Sequence, residues 1–126
     1  MRILLIEDDK TVAGFVIKGL REAGHNIVHA DNAALGRERA EKEPFEVIIL
    51  DRMLPESEDG LKLLAGLRAQ RIDTPVLILS GLGEAENKVM GLHAGGDDYL
   101  AKPFAFSELL VRVEGLARRG RIIRTA

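Results

Sequence analysis

At 126 residues, with 46% hydrophobic and 30% charged side chains, the chain is sized for one domain with a proper core and is neither disordered nor membrane-spanning in composition. The absence of cysteine excludes thiol catalysis, disulfide scaffolding and cysteine-ligated metals, and it fits a cytoplasmic protein. A net charge of −2 gives no overall attraction to nucleic acid, and only the stretch from Arg118 onward is locally basic.

No apolar run approaches the ~20 residues of a membrane helix. Met1-Arg2-Ile3-Leu4 leads into acids rather than into a signal-peptide pattern. Ile3-Leu4-Leu5-Ile6 is a short apolar run that ends in Glu7-Asp8-Asp9. Thr11 to Ala23 then has helical spacing, with Val12, Phe15, Val16, Leu20 and Ala23 on one stripe and Gly24 as the C-terminal stop. Asn26 to Ala30 reads as a strand, and Ala33 to Lys42 as a polar helix that ends before Pro44. Val47-Ile48-Ile49-Leu50 is a fully apolar run, the mark of a strand buried on both faces of a parallel sheet, and it runs straight into Asp51.

Gly60 to Gln70 is helical, with Leu61, Leu64 and Leu67 on one face. Pro75 opens the apolar run Val76-Leu77-Ile78-Leu79, which ends at Ser80. A helix is expected from Glu84 to Ala94, stopped by Gly95-Gly96. Asp98 to Ala101 is a short strand ending at Lys102-Pro103, and Phe106 to Arg119 the last helix, with Leu109, Val113 and Leu116 inward. Residues 120–126 read as linker. Strand and helix alternate throughout, which argues an α/β fold with a parallel sheet and helices on both faces.

Ligands of open parallel sheets bind beyond the carboxyl ends of the strands. There this chain gathers Glu7 and Asp8, Asp51, Ser80 and Lys102. Clustered carboxylates repel and call for a counter-charge; Mg²⁺, a hard cation that takes oxygen ligands and tolerates bound water and phosphate, suits them. A carboxylate held beside Mg²⁺ can attack phosphorus to give an aspartyl phosphate, with an amine and a hydroxyl on the phosphoryl oxygens. Each residue also has a plainer reading: Asp51 and Ser80 as turn residues, the acids after the first strand as helix caps (above all Asp9), Lys102 as a solvated charge. Gly81-Leu82-Gly83 hints at a dinucleotide loop, but Glu86 stands where a third glycine is required. His25, His29 and His93 have no ligand-spaced partner and read as structural or surface residues.

The runs Leu5-Ile6-Glu7-Asp8-Asp9, Leu50-Asp51-Arg52-Met53-Leu54-Pro55, Leu79-Ser80 and Gly95 to Phe104 resemble the receiver domain of two-component response regulators, over residues 1–119. Within that family the last run is similar to the OmpR/PhoB type, which carries a winged-helix DNA-binding domain after the receiver. The resemblance implies a flavodoxin-like, doubly wound (βα)5 fold with strand order 2-1-3-4-5. It implies Asp51 as phosphoacceptor from a histidine kinase, Mg²⁺ bound by Asp8 directly, by Glu7 through water, by Asp51 and by the Met53 backbone carbonyl, and a cis Lys102-Pro103 bond. Ser80 and Lys102 would hold the phosphoryl oxygens, and Ser80 would couple to rotation of Tyr99 from exposed to buried.

The resemblance further implies a homodimer through the helix at 84–94, the strand at 98–101 and the last helix. Its apolar patch would be Val89, Leu92 and Leu110. Its charge pairs would be Lys88 with Glu108, Asp98 with Arg112 and Asp97 with Arg119. DNA contact would come only through a domain absent from this chain, and no membrane is involved. Glu56-Ser57-Glu58-Asp59 departs from the family pattern by one extra residue and lacks the usual glycine after Pro55. Two alternatives stand beside this reading. A phosphohydrolase of the haloacid-dehalogenase type would need a second Asp two residues after Asp51, where Met53 stands. A receiver-like module that is never phosphorylated would have lost acids or Lys102, and none is lost.

Overall fold

The computed structural model describes residues 1–54, 59–81 and 95–125, the last five by backbone alone. Five parallel strands form one sheet: β1 (Arg2–Ile6), β2 (Asn26–Ala30), β3 (Val47–Asp51), β4 (Val76–Ser80) and β5 (Asp98–Ala101), in the order β2-β1-β3-β4-β5. The described helices are α1 (Lys10–Glu22), α2 (Ala33–Lys42), α3 (Gly60–Ala69) and α4 (Phe106–Thr125). This is the α/β parallel sheet expected from the alternation of the chain, in the doubly wound, flavodoxin-like strand order that the resemblance implied. The helix expected at 84–94, with Lys88, Val89, Leu92 and His93, lies outside the described residues, as do 55–58 of the longer loop.

The period-2 geometry of strands sorts the apolar runs onto two faces. Leu4, Ile6, Ile48, Leu50 and Ile78 pack with Leu61, Leu64 and Leu67 of α3 and Ala33 and Ala40 of α2. Ile3, Leu5, Val47, Ile49, Leu77 and Leu79 pack with Val16 and Leu20 of α1 and Leu109, Val113 and Leu116 of α4. Both faces of β1, β3 and β4 are thus dry, which is why these strands read as unbroken apolar runs. Full burial of each such side chain contributes roughly 1.5–3 kcal/mol. The sheet is consequently a stiff support for whatever its carboxyl edge carries.

Local signals set the helix ends. Asp9 caps α1, its carboxylate accepting from Thr11 N at 2.9 Å and Val12 N at 3.1 Å. Asn32 accepts from Leu35 N to start α2, and Asp59 from Leu61 N to start α3. Gly24 follows α1 at φ +91°, the left-handed conformation that glycine adopts without Cβ strain.

Two expectations are corrected. Phe15 and Ala23 are not on the buried stripe of α1; Phe15 is 50% exposed, Ala23 is exposed at the C-cap just past the helix, and Ala13, Val16 and Leu20 form the buried line. Phe15 instead meets Phe104 at a tilt and Phe106 edge-on at the helix flank, at ring centroid distances of 6.3 and 6.1 Å. The last helix also does not stop at Arg119: α4 is helical through Thr125, into the stretch read as linker. Gly120 lowers helix propensity by only about 1 kcal/mol and no proline follows, so nothing in the local chemistry breaks the turn. Among the described residues no helix is long and apolar enough to cross a membrane.

Candidate metal and phosphoacceptor site

Four strand ends converge on one pocket. Glu7 follows β1 and is fully buried; Asp51 is the last residue of β3 and 4% exposed; Ser80 ends β4 and is 2% exposed. Lys102 follows β5, and the Lys102-Pro103 peptide is cis, as the resemblance implied. The Lys102 backbone N–H donates to Ser80 O at 2.6 Å, which ties the ends of β4 and β5 together. Lys102 Nζ lies 2.7 Å from Glu7 Oε1 and 3.4 Å from Asp51 Oδ2. Met53 N–H donates to Asp51 Oδ1 at 3.2 Å, while the Met53 side chain is 68% exposed.

Asp8 is exposed at the mouth. One carboxylate oxygen from each of Glu7, Asp8 and Asp51 lies within 4.8 Å of the others. Gly60 closes the floor, since a Cβ at that position would lie 2.4 Å from Asp51 O. Outside this pocket, beside Lys102, is an apolar hollow of about 470 Å³ lined by Thr11, Val12, Phe15, Pro103 and Phe104.

Charge decides what the pocket does. Burial first, then the hydrogen bond and negative charge of Glu7, push the Asp51 carboxyl up from 3.8 to about 8. Burial also opposes the charge on Glu7, yet the hydrogen bond from Asp51 and the Lys102 ammonium hold Glu7 below the ordinary carboxylate range. Burial opposes the Lys102 charge too, and Glu7 and Asp51 outweigh it and raise the amine. Without a cation the Glu7–Asp51 pair therefore shares one proton, as closely spaced acids do.

The residues present fit a divalent cation. Glu7 Oε1 is buried with no aligned hydrogen bond, the Lys102 ammonium contacting it as an ion pair only. Three hard oxygen donors lie within 4.8 Å of one another beside the Lys102 ammonium, which is a donor set for Mg²⁺.

The described part of the expected dimer face is more self-contained than its charges suggested. Asp98 takes Arg112 Nη1 on both oxygens at 3.0 Å, and Arg112 also donates to Glu108, all within one chain. Asp97 pairs with Arg68 at 3.0 Å and accepts from Val76 N. Arg119 is exposed, and Leu110 is partly buried against the α1–α4 core, while its neighbour Val111 is 67% exposed. Tyr99 is already buried, with its hydroxyl unpartnered. The exposed position expected for one state of that residue is not the one seen.

Sequence reasoning undervalued two residues. Arg68 links Gly95 O, Ile72 O, Thr74 O and Asp97, and His29 Nε2 lies 2.7 Å from Glu7 O. Neither is visible in spacing, because the bonds of Arg68 to Gly95 and Asp97 and of His29 to Glu7 join segments far apart in the chain, and the nearer partners of Arg68 are backbone carbonyls.

A doubly wound α/β domain with an acidic, lysine-faced pocket at the carboxyl edge of its sheet is the class that this geometry defines. The profile of the response regulator receiver domain matches residues 3–114, and the chain belongs to that family. It is 46% identical over 125 residues to the probable transcriptional regulatory protein SilR of Salmonella typhimurium, covering 99% of this chain and 54% of the relative. It is 45% identical over 120 residues to the transcriptional regulatory protein CusR of Escherichia coli K12, covering 95% and 52%. The chain thus spans about half the length of these relatives. The Francisella response regulator 1452 receiver domain superposes with a TM-score of 0.89 at 41% identity, covering 94% of this chain and 97% of that one.

Proposed function

We propose that Asp51 accepts a phosphoryl group from a histidine kinase in a Mg²⁺-dependent step, and that the modified receiver dimerises to control transcription through a DNA-binding domain of the OmpR/PhoB type. The observation that carries this reading is the placement of Asp51: a buried carboxylate at a rigid strand end, inside a three-acid cluster and 3.4 Å from an ammonium. A bound Mg²⁺ supplies the positive charge that keeps Asp51 ionised and draws charge from the phosphoryl oxygens.

Asp8, Asp51 and the Met53 carbonyl would hold that ion directly and Glu7 through water. An Asp51 oxygen attacks phosphorus, the P–N bond of the phosphohistidine breaks, and the leaving imidazole nitrogen takes a proton from solvent. Lys102 turns from the acids to one phosphoryl oxygen and Ser80 donates to another. The half-exposed Phe15 and the apolar hollow beside it give the approaching kinase a surface. Phosphorylation adds roughly −1.5 to −2 charges. Ser80 moves toward them, and the buried Tyr99 follows the space it leaves. In a dimer built on this face, Asp98 and Arg112 exchange or share their in-chain partners, and Arg119 meets Asp97 of the second copy.

Acetyl phosphate with Mg²⁺ should add one acid-labile phosphoryl group, and Asp51→Asn should abolish it. Continuous release of phosphate from phosphate esters would favour a phosphohydrolase instead, and no uptake at all would favour an interaction module. Sedimentation with beryllofluoride should show dimers, weakened by Arg119→Glu; a dimer indifferent to that change would refute the interface.

A further inference from the structure

We infer that His29 is a positioning residue for the metal-binding acids, acting through the backbone of Glu7. The inference rests on the Mg²⁺ reading above and deepens it. In the sheet, Ile6 pairs with Ala30 at the last register position of β1 and β2, and Glu7 N–H donates to Ala30 O at 3.0 Å. There the ladder ends, because the chain beyond Ala30 bends away toward α2. The Glu7 carbonyl would have no backbone donor from β2. His29, opposite Leu5 on the edge strand, reaches along the strand and supplies one: Nε2 lies 2.7 Å from Glu7 O. A carbonyl accepts only, so Nε2 carries the proton and donates.

The position of that bond gives it leverage. The Glu7–Asp8 peptide joins the Cα atoms of two of the three acids, so rotation of this one plane moves both carboxylates. The preceding Ile6–Glu7 peptide is fixed by Glu7 N–H on Ala30 O, and the Glu7–Asp8 peptide by its carbonyl on His29. Beyond it, Asp9 N–H reaches Glu7 Oε2 at 3.4 Å while the Asp9 carboxylate caps α1. His29 is exposed, so its replacement disturbs no core packing. Groups that orient metal ligands typically govern about 10- to 100-fold of metal affinity. Acting through backbone rather than on a ligating oxygen, His29 belongs at or below the lower end of that range, with a loss of about 3- to 10-fold.

The test compares wild type, His29→Leu and His29→Gln. Glutamine places an amide donor near Nε2 and should restore the bond; leucine cannot. Calorimetric titration with Mg²⁺ should show His29→Leu weakened by that factor and His29→Gln within about 2-fold of wild type. Phosphorylation by acetyl phosphate should be slow in His29→Leu at limiting Mg²⁺ and recover at saturating Mg²⁺. In metal-free protein, the Glu7 and Asp9 amides should exchange with solvent faster in His29→Leu than in wild type. Wild-type affinity in His29→Leu, no rescue by glutamine, or a rate still depressed at saturating Mg²⁺ would each overturn the inference. If wild type itself bound no Mg²⁺, the parent reading would fall, and unchanged amide exchange in His29→Leu would then overturn the clamp separately.

Discussion

Replacing Asp51 by Asn should change how the metal-free protein responds to pH, in a direction that burial fixes. An acid whose folded-state pKa is raised binds its proton more tightly when folded. Its contribution to stability is complete below the unfolded value of 3.8 and is lost as pH rises toward about 8. Over that window the folded state carries close to one extra proton, and one proton is worth about 1.4 kcal/mol per pH unit. Between about pH 6 and 8 the wild type should therefore lose roughly 2 kcal/mol relative to Asp51→Asn, which has no proton to lose there. The two proteins differ only at residue 51 and in the groups coupled to it, Glu7 and Lys102, so the difference between the two curves reports that buried cluster. Urea denaturation with chelator present, at half-unit steps of pH, measures it. Saturating Mg²⁺ should flatten the wild-type slope, because a cation favours the ionised acid as burial does not. Parallel curves for the two proteins, or a variant less stable than wild type at pH 8, would refute the view that Asp51 is buried against its charge.

Gly60→Ala should destabilise by about 2 kcal/mol or more, since its Cβ would meet Asp51 O at 2.4 Å and Arg52 Cα at 3.0 Å with only backbone to give way. It should slow phosphorylation as well, and a variant as stable and as reactive as wild type would show that this floor is soft. Arg68→Ala should cost about 2–3 kcal/mol in urea denaturation, because it strips donors from three carbonyls and leaves Asp97 without its cation. A loss under about 0.5 kcal/mol would mean that water replaces the guanidinium there. Lys102→Met should leave Glu7 and Asp51 without their shared ammonium and reduce phosphorylation, and an unaltered rate would remove Lys102 from the site.

The strands were legible because burial on both faces forces unbroken apolar runs, and their ends were legible because each run stops at a polar residue. That is enough to bring Glu7, Asp8, Asp51, Ser80 and Lys102 to one edge, where the structure has them. Flank positions were harder. A helical stripe is wide, and whether Phe15 is inside it depends on Phe104 and Phe106, contributed by a loop far along the chain. Charge complementarity was ambiguous for a different reason: Asp98 and Arg112 have opposite signs whether they meet within one chain or between two, and here they meet within one. Asp97 shows the same limit, its partner Arg68 being on another helix. His29 had no signal in spacing, because its partner is a backbone carbonyl reached through strand register. Residues 120–126 read as linker, yet a glycine without a following proline does not break the turn, and α4 continues to Thr125.

Borohydride trapping tests the central assignment most directly. After treatment with acetyl phosphate and Mg²⁺, reduction converts an aspartyl phosphate to homoserine, which peptide mass spectrometry locates. Homoserine should be found at position 51, with its yield abolished by chelator and sharply reduced in Glu7→Gln or Asp8→Asn. Homoserine at another acid, or the same yield at residue 51 with chelator present, would contradict a single magnesium pocket built from these strand ends.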